Sequence, residues 1–239
     1  MNPGDLFVGI LLGAPGSGKG TQGATLSELY RIPTISTGDL LRVEIATGSE
    51  LGKRVKAVIT SGALVCDNLV NELVASRISK DDCRNGFLLD GYPRSRAQAE
   101  YLERLLIKRG LPDPTVVHLD VPLAMLKERM LARRQCPQCK RIFSLLAGGA
   151  AAEGFCEYDG TMLITRPDDS PESVEARLSG YENYEREVIA FYKSRDYRRV
   201  DGNAPMQEVT ARVLEALAAM SPVVSPIFDT APVSVRPSI

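Results

Sequence analysis

The stretch Gly13–Thr21, GAPGSGKGT, sets four glycines around one lysine. Glycines at 13, 16, 18 and 20 keep side chains out of a turn, so successive backbone N–H groups can point into one concavity. A helix starting at Lys19 would add the positive end of its dipole, and the Lys19 ammonium a full charge. Gly16, Ser17, Gly18, Lys19, Gly20 and Thr21 therefore form a candidate cradle for the chained phosphates of a nucleotide. The pattern G-x-x-x-x-G-K-[ST] is met at Gly13, Gly18 and Lys19, but Gly20 stands where the hydroxyl should be and Thr21 follows it.

Two further groups carry chemistry. Arg42 ends STGDLLR and Arg94 lies within LDGYPRSRAQ, each shortly after an apolar run. A planar guanidinium grips phosphate through two parallel hydrogen bonds, which suits both to a second anion. Farther on, CPQC (Cys136–Cys139) and CEYD (Cys156–Asp159) are separated by sixteen residues. Two such turns can wrap one tetrahedral ion through Cys136, Cys139, Cys156 and Asp159. All four positions would be filled by protein, so the metal would be structural; ligand type alone does not separate zinc from iron. The surrounding segment has few large apolar residues, and a metal would supply the stability its small core lacks. Cys66 and Cys83 stand apart as buried thiols, and His118 in TVVHLDV reads as a satisfied core histidine.

These groups need a scaffold. Leu6–Leu12, Thr34–Ser36, Gly86–Asp90, Val116–Val121 and Tyr197–Asp201 read as strands. Helical patterns cover Lys19–Tyr30, Gly38–Ala46, Leu51–Ser61, Leu69–Ser79, Ser95–Arg109, Pro122–Arg134, Ser173–Ser194 and Pro205–Ala219. Alternation of the two predicts an α/β fold, a five-stranded parallel sheet flanked by helices, with sites at the carboxyl ends of the strands. On the helix predicted over 122–134, Arg129 and Arg133 stand one turn apart on one face. Net charge is −1, so composition offers no partner among polyanions or acidic membranes. No stretch approaches a membrane span, and the amino terminus lacks a basic leader region. Five unevenly placed cysteines argue for a reducing compartment, with the cytoplasm expected.

On the phosphate loop, STGDLLR and LDGYPRSRAQ taken together, the sequence resembles the adenylate kinases, collinearly from Leu6 to about Ala219. The resemblance implies a P-loop kinase that moves a phosphoryl group between ATP, AMP and ADP with Mg²⁺. It implies that Arg42 and Arg94 hold the acceptor phosphate, and that Thr37, Gln98, Tyr92, Pro93 and the backbone at Ala63, Leu64, Val65 and Gly91 complete the AMP pocket, with Gln98 on the adenine edge. Arg129 would face the ATP adenine as a cation–π partner, while Arg133, Arg166 and Arg177 converge on the phosphates. Ile142, Phe143 and the backbone at Ala204 would line the ATP site, and Asp90 would orient waters around Mg²⁺. Lys19, Asp90, Arg94, Arg133, Arg166 and Arg177 form the expected catalytic set. No general base is needed, since positioning carries phosphoryl transfer.

The resemblance further implies a zinc-bearing long lid, with family precedent for Asp159 as fourth ligand. The sequence departs from the family where Lys140 replaces a usual Gly, where SLLAGGAAAEG replaces a Pro-containing tip, and where Tyr92 and Ser95 replace Phe and Thr. Expected boundaries are a core of 1–35, 66–131 and 170–220, an acceptor-binding insertion at 36–65, a lid at 132–169 and a disordered Pro-rich tail at 221–239. A monomer is the family expectation, with no nucleic-acid or membrane partner. Three alternatives are weighed: a kinase of the same fold with another donor or acceptor, a zinc-ribbon nucleic-acid module, and a P-loop switch. Within the first, Gln98 argues for adenine at the acceptor site and the long lid against short-lid pyrimidine kinases, while ATP or GTP as donor stays open; the second is disfavoured by the scarcity of stacking aromatics beside the lid arginines, the third by the missing hydroxyl after Lys19.

Overall fold

A computed structural model describes residues 6–60 and 65–218. The residues Ala63 and Leu64, expected in the acceptor pocket, and the tail expected to be disordered lie outside that range.

Five strands pair in parallel: β1 (Phe7–Leu12), β2 (Thr34–Ser36), β3 (Gly86–Asp90), β4 (Thr115–Asp120) and, later in the chain, Tyr197–Asp201. A two-stranded hairpin precedes that last strand in the chain, so it is β7, and the sheet order is β2-β3-β1-β4-β7. In β1 the side chains alternate between two cores. Val8, Ile10 and Leu12 pack with Val74, Leu102 and Tyr192. Phe7 and Leu11 pack with Leu26, Val209 and Val213 on the opposite face. Each fully buried aliphatic side chain contributes about 1.5–3 kcal/mol, so covering both faces makes this register strongly preferred. One face is covered by α4 (Asp67–Arg77), α5 (Arg96–Arg109) and α8 (Pro171–Tyr192), the other by α1 (Lys19–Tyr30) and α9 (Met206–Ala218).

Register brings the strand ends level. Leu11 and Ser36 both stand opposite Asp90, Leu12 opposite His118, and Asp120 opposite Asp201. Every loop that carries a predicted nucleotide contact thus leaves the same edge. Two structures branch from it: the helix pair α2 (Thr37–Ala46) and α3 (Glu50–Thr60), and a small antiparallel hairpin of β5 (Arg133–Gln135) and β6 (Ile142–Ser144) beside a short α7 (Gly149–Ala152).

Cys66, expected as a buried thiol, is exposed at the N-cap of α4, while Cys83 is buried. One helix also ends earlier than expected. The helix predicted to Arg134 is α6, Leu123–Leu131, capped at Ala132. Leu145 N–H donates to Ala132 O at 3.0 Å and Arg133 pairs with Ser144, so hairpin pairing takes the backbone groups a further turn would need. Arg133 is therefore on a strand, and Arg129 and Arg133 do not share a helix face. Helix α8 begins two residues before the predicted start: the Ser170 hydroxyl accepts from Ser173 N–H at 3.2 Å and Pro171 fills the first turn.

Candidate active site

The phosphate loop closes between β1 and α1. Gly16 has φ 85° and Gly18 φ 98°. A Cβ at Gly16 would stand 3.0 Å from Leu126 O, so the loop lies directly on α6 and admits no side chain there. Gly18 N-caps α1 without a capping side chain, which leaves the first-turn N–H groups for a ligand. Lys19 Nζ donates to Gly13 O and Ala14 O, both at 2.8 Å. Burial pushes its pKa down to about 8; the Asp90 carboxylate opposes this, and Arg94, Arg177 and Arg133 reinforce it. Lys19 is thus near enough to sense all four of these groups.

A cavity of about 1070 Å³ opens over the loop. Within the described residues, every predicted nucleotide contact lines it except Thr37, Val65, Tyr92 and Gln98. Those four are held by neighbouring groups instead. Val65 packs on the core. Tyr92 is fully buried and donates its hydroxyl to Asn71 Oδ1 at 2.6 Å, so only its backbone neighbours reach the site. Thr37 Oγ1 and Arg94 Nε both donate to Gly91 O, at 2.9 and 2.8 Å. Gln98 is buried, accepting from Arg94 N–H and donating to Asp67 Oδ1, both at 2.7 Å. It therefore fixes the Arg94 loop while retaining one lone pair and one N–H hydrogen. Gln22 is 2% exposed, and its Oε1 is the one buried side-chain atom without a partner among the described residues.

The arginines expected to meet phosphates are held by two carboxylates that the sequence reading did not single out. Arg133 donates to Asp169 Oδ2 at 2.8 Å, and Arg177 to Asp169 Oδ1 at 2.9 Å and Asp168 Oδ2 at 3.0 Å. Arg166 reaches Asp168 at 3.3 Å. The signal was the Asp168-Asp169 pair in RPDDS, two buried acids beside an Arg. Burial lowers the pKa of Arg177 to about 10, with Arg133 and Arg166 adding to the effect against the two carboxylates. Burial and the nearby Arg42 and Arg133 guanidinium groups likewise lower Arg166. Burial pulls Arg133 down, but the bond to Asp169 together with the charges of Asp169, Asp168 and Asp90 outweighs it, so its pKa is raised. Arg42, on α2, is bound to Asp39 at 2.6 Å. Cations from α1, α2, the β3 loop and the hairpin thus crowd one cavity at the sheet edge, and a polyanion would relieve their repulsion.

Across the cavity, Arg129 donates to Gly202 O at 3.2 Å, joining α6 to the loop after β7 that carries Ala204. The Asp90 carboxylate lies 3.7 Å from where a Cβ on Gly20 would stand, so Gly20 leaves open ground between the loop and an acid. Hard divalent cations favour such an oxygen beside phosphates, and Mg²⁺ keeps several waters in sites of this kind. His118 is buried, bonded through Nδ1 to Tyr197 Oη at 2.7 Å and through Nε2 to Glu185 at 3.1 Å.

Above the cavity, Cys136, Cys139, Cys156 and Asp159 bring one ligand atom each within 4.8 Å of one another. A Zn–S distance of about 2.3 Å places tetrahedral thiolates ~3.8 Å apart. Cys139 Sγ and Cys156 Sγ are 3.7 Å apart, and Cys136 Sγ lies 3.4 Å from Asp159 Oδ2. The two turns match: Lys140 N–H donates to Cys136 O and Gly160 N–H to Cys156 O, with Lys140 at φ 61° and Gly160 at φ 69°. Lys140 accepts the left-handed backbone that Gly160 adopts freely. Only Cys136, Ala151, Cys156 and Leu163, with Phe143, form the core here, which suits a segment completed by a metal.

A parallel sheet with a phosphate loop at its central strand and arginines arrayed over the cavity defines a P-loop phosphotransferase of the nucleoside monophosphate kinase class. The adenylate kinase family model matches residues 11–197. An adenylate kinase of Oceanobacillus iheyensis is 43% identical over 84% of this chain and 94% of its own length. Those of Agathobacter rectalis and Caldicellulosiruptor bescii are 42% and 43% identical, each over 87% of this chain, covering 98% and 97% of theirs. The chain belongs to the adenylate kinase family, and it is a nucleoside monophosphate kinase.

Proposed function

We propose that the chain transfers the terminal phosphoryl group of Mg-ATP to AMP, giving two ADP, and runs the reverse reaction. The observation that carries this reading is the convergence of Lys19, Arg94, Arg133, Arg166 and Arg177 on one cavity, with Arg42 on its acceptor side. The phosphate-loop N–H groups and Lys19 hold the donor's β- and γ-phosphates. Arg129, Ile142, Phe143 and the backbone at Ala204 enclose its nucleoside. Arg42 and Arg94 grip the AMP phosphate, and Gln98, fixed by Asp67, offers its remaining amide capacity to adenine, with Thr37 and Gly91 shaping the pocket floor. An AMP phosphate oxygen attacks in line, the γ–β bridging bond breaks, and charge spreads over oxygens that Arg133, Arg166 and Arg177 already face. Asp90 is the residue that would hold Mg²⁺, which would supply charge neutralisation for the donor's phosphates.

The segments 36–65 and 132–169 act as covers over acceptor and donor, excluding the water that would otherwise take the phosphoryl group. Residues 1–35, 66–131 and 170–220 form the core beneath them. The four-ligand cluster fits a structural Zn²⁺, held by Cys136, Cys139, Cys156 and Asp159. Among the described residues no helix is long and apolar enough to cross a membrane. The described cysteines are free thiols; that the enzyme is monomeric, cytoplasmic and without nucleic-acid partners is the reading carried by its resemblance to the adenylate kinases.

The test is the initial rate of ADP formation from Mg-ATP with AMP, UMP, CMP, GMP or no acceptor. A rate dependent on AMP is expected. Rapid hydrolysis without acceptor, or preference for another monophosphate, would overturn the assignment.

A further inference from the structure

The hairpin carries a cation that the arginine–aspartate array does not hold. Arg141 follows the first cysteine turn, and its carbonyl accepts from Cys136 N–H at 3.0 Å. Tyr158 lies between Cys156 and Asp159 in the second turn. The two turns bring these side chains together: the Arg141 guanidinium carbon stands 3.8 Å from the Tyr158 ring centroid. Phe143 backs the tyrosine, with ring centroids 6.2 Å apart. All three line the same cavity as the phosphate loop.

Two features separate this pair from an ordinary surface contact. Tyr158 is 68% exposed, a large aromatic left uncovered on a wall that faces the phosphate loop. Arg42, Arg133, Arg166 and Arg177 each have a carboxylate partner. The Arg141 guanidinium, among the described residues, has no hydrogen bond and no ion pair. The adjacent Glu157 does not supply one, its Oε1 lying 3.3 Å from where a Cβ on Gly149 would stand. A guanidinium seated by its face on a ring keeps its N–H edge free and fixed in plane, which is the geometry that meets phosphate bidentately.

We propose that Arg141 is a further phosphate-contacting residue of the donor site, with Tyr158 as the positioning residue that presents it. This rests on the cavity being the donor nucleotide site. When the hairpin covers the cavity, Arg141 meets the donor polyphosphate from above while Lys19 holds it from below.

The experiment compares Arg141→Gln, Tyr158→Leu and Tyr158→Phe with the unaltered protein. It reads KM for ATP and AMP, kcat, calorimetric binding of inorganic tripolyphosphate, zinc content and melting temperature. Loss of a charge-assisted contact predicts a KM for ATP about tenfold higher in Arg141→Gln, with KM for AMP unchanged. Tripolyphosphate, which has no base or ribose, should weaken by a similar factor. Tyr158→Leu should show a smaller shift in the same direction, and Tyr158→Phe, which keeps the ring, should behave as the unaltered protein. Unchanged ATP and tripolyphosphate affinity in Arg141→Gln overturns the proposal. So does weaker ATP binding with tripolyphosphate unaffected, which marks a contact to base or ribose, or loss of zinc or melting temperature in step with affinity, which marks a structural role. If the unaltered protein lacks AMP-dependent transfer, tripolyphosphate binding still tests Arg141 separately from the reaction.

Discussion

Asp169→Asn is the sharpest probe of the arginine array. The Asp169 side chain is fully buried and joins Arg133 to Arg177, the latter through a 2.9 Å bond. Asparagine keeps one acceptor oxygen but turns an NH₂ group toward a guanidinium, so one bond is lost, a donor faces a donor, and the negative charge disappears. Removing one partner of a buried pair typically costs about 3–5 kcal/mol. Arg177 retains Asp168 at 3.0 Å, which places the expected loss near the lower end, about 3 kcal/mol. For a chain of this size that is a fall in melting temperature of roughly 6–12 °C. The assay is thermal unfolding of the zinc-loaded protein, alone and with saturating AMP and a non-hydrolysable ATP analogue. Phosphates would supply the missing negative charge, so the deficit should shrink when ligand is present. A loss below about 1 kcal/mol, or an equal loss in both conditions, would refute the view that Asp169 neutralises the guanidinium groups that substrate phosphates meet.

Other consequences are as direct. Lys19, held down at about 8, should regain its proton when polyphosphate binds, so ATP binding at pH 8.5 should take up a proton, seen calorimetrically across buffers of different ionisation enthalpy, and affinity should fall as pH rises through about 8. No uptake there would contradict the charge reading. Burial raises the Asp168 carboxyl pKa, but Arg166, Arg177, Arg42 and Arg133 together outweigh it and hold the pKa below 3.8. Its stabilising share is therefore complete above 3.8 and is lost as pH falls through the lower folded value, so the urea midpoint should drop in acid more steeply for the unaltered protein than for Asp168→Asn. Lys140→Gly relieves a left-handed residue and should stabilise the metal-loaded protein by about 1 kcal/mol, measured by chemical denaturation. A loss of stability would show that the lysine stem contributes more than its backbone strain costs.

The sequence alone determined the elements and the chemistry of the phosphate loop. Strands at Thr34–Ser36, Gly86–Asp90 and Tyr197–Asp201 and the helix Lys19–Tyr30 have the predicted bounds, because each is marked by local signals: short apolar runs, turn residues and a glycine loop. The two cysteine turns were equally legible, since ligand spacing along the chain is itself the constraint that closes a tetrahedral site. What the tertiary structure decided depends on contacts between distant segments. Hairpin pairing with residues 142–144 ended α6 and moved Arg133 off its face. Asp168 and Asp169, which the sequence reading did not single out, became the anchors of three arginines. Gln98 and Thr37 are bonded to Asp67 and Gly91, and Arg141 meets Tyr158 across seventeen positions of chain. Local propensity carries no information about which charge a folded chain will bury beside which; that is settled only when packing removes water and obliges each buried group to find its partner.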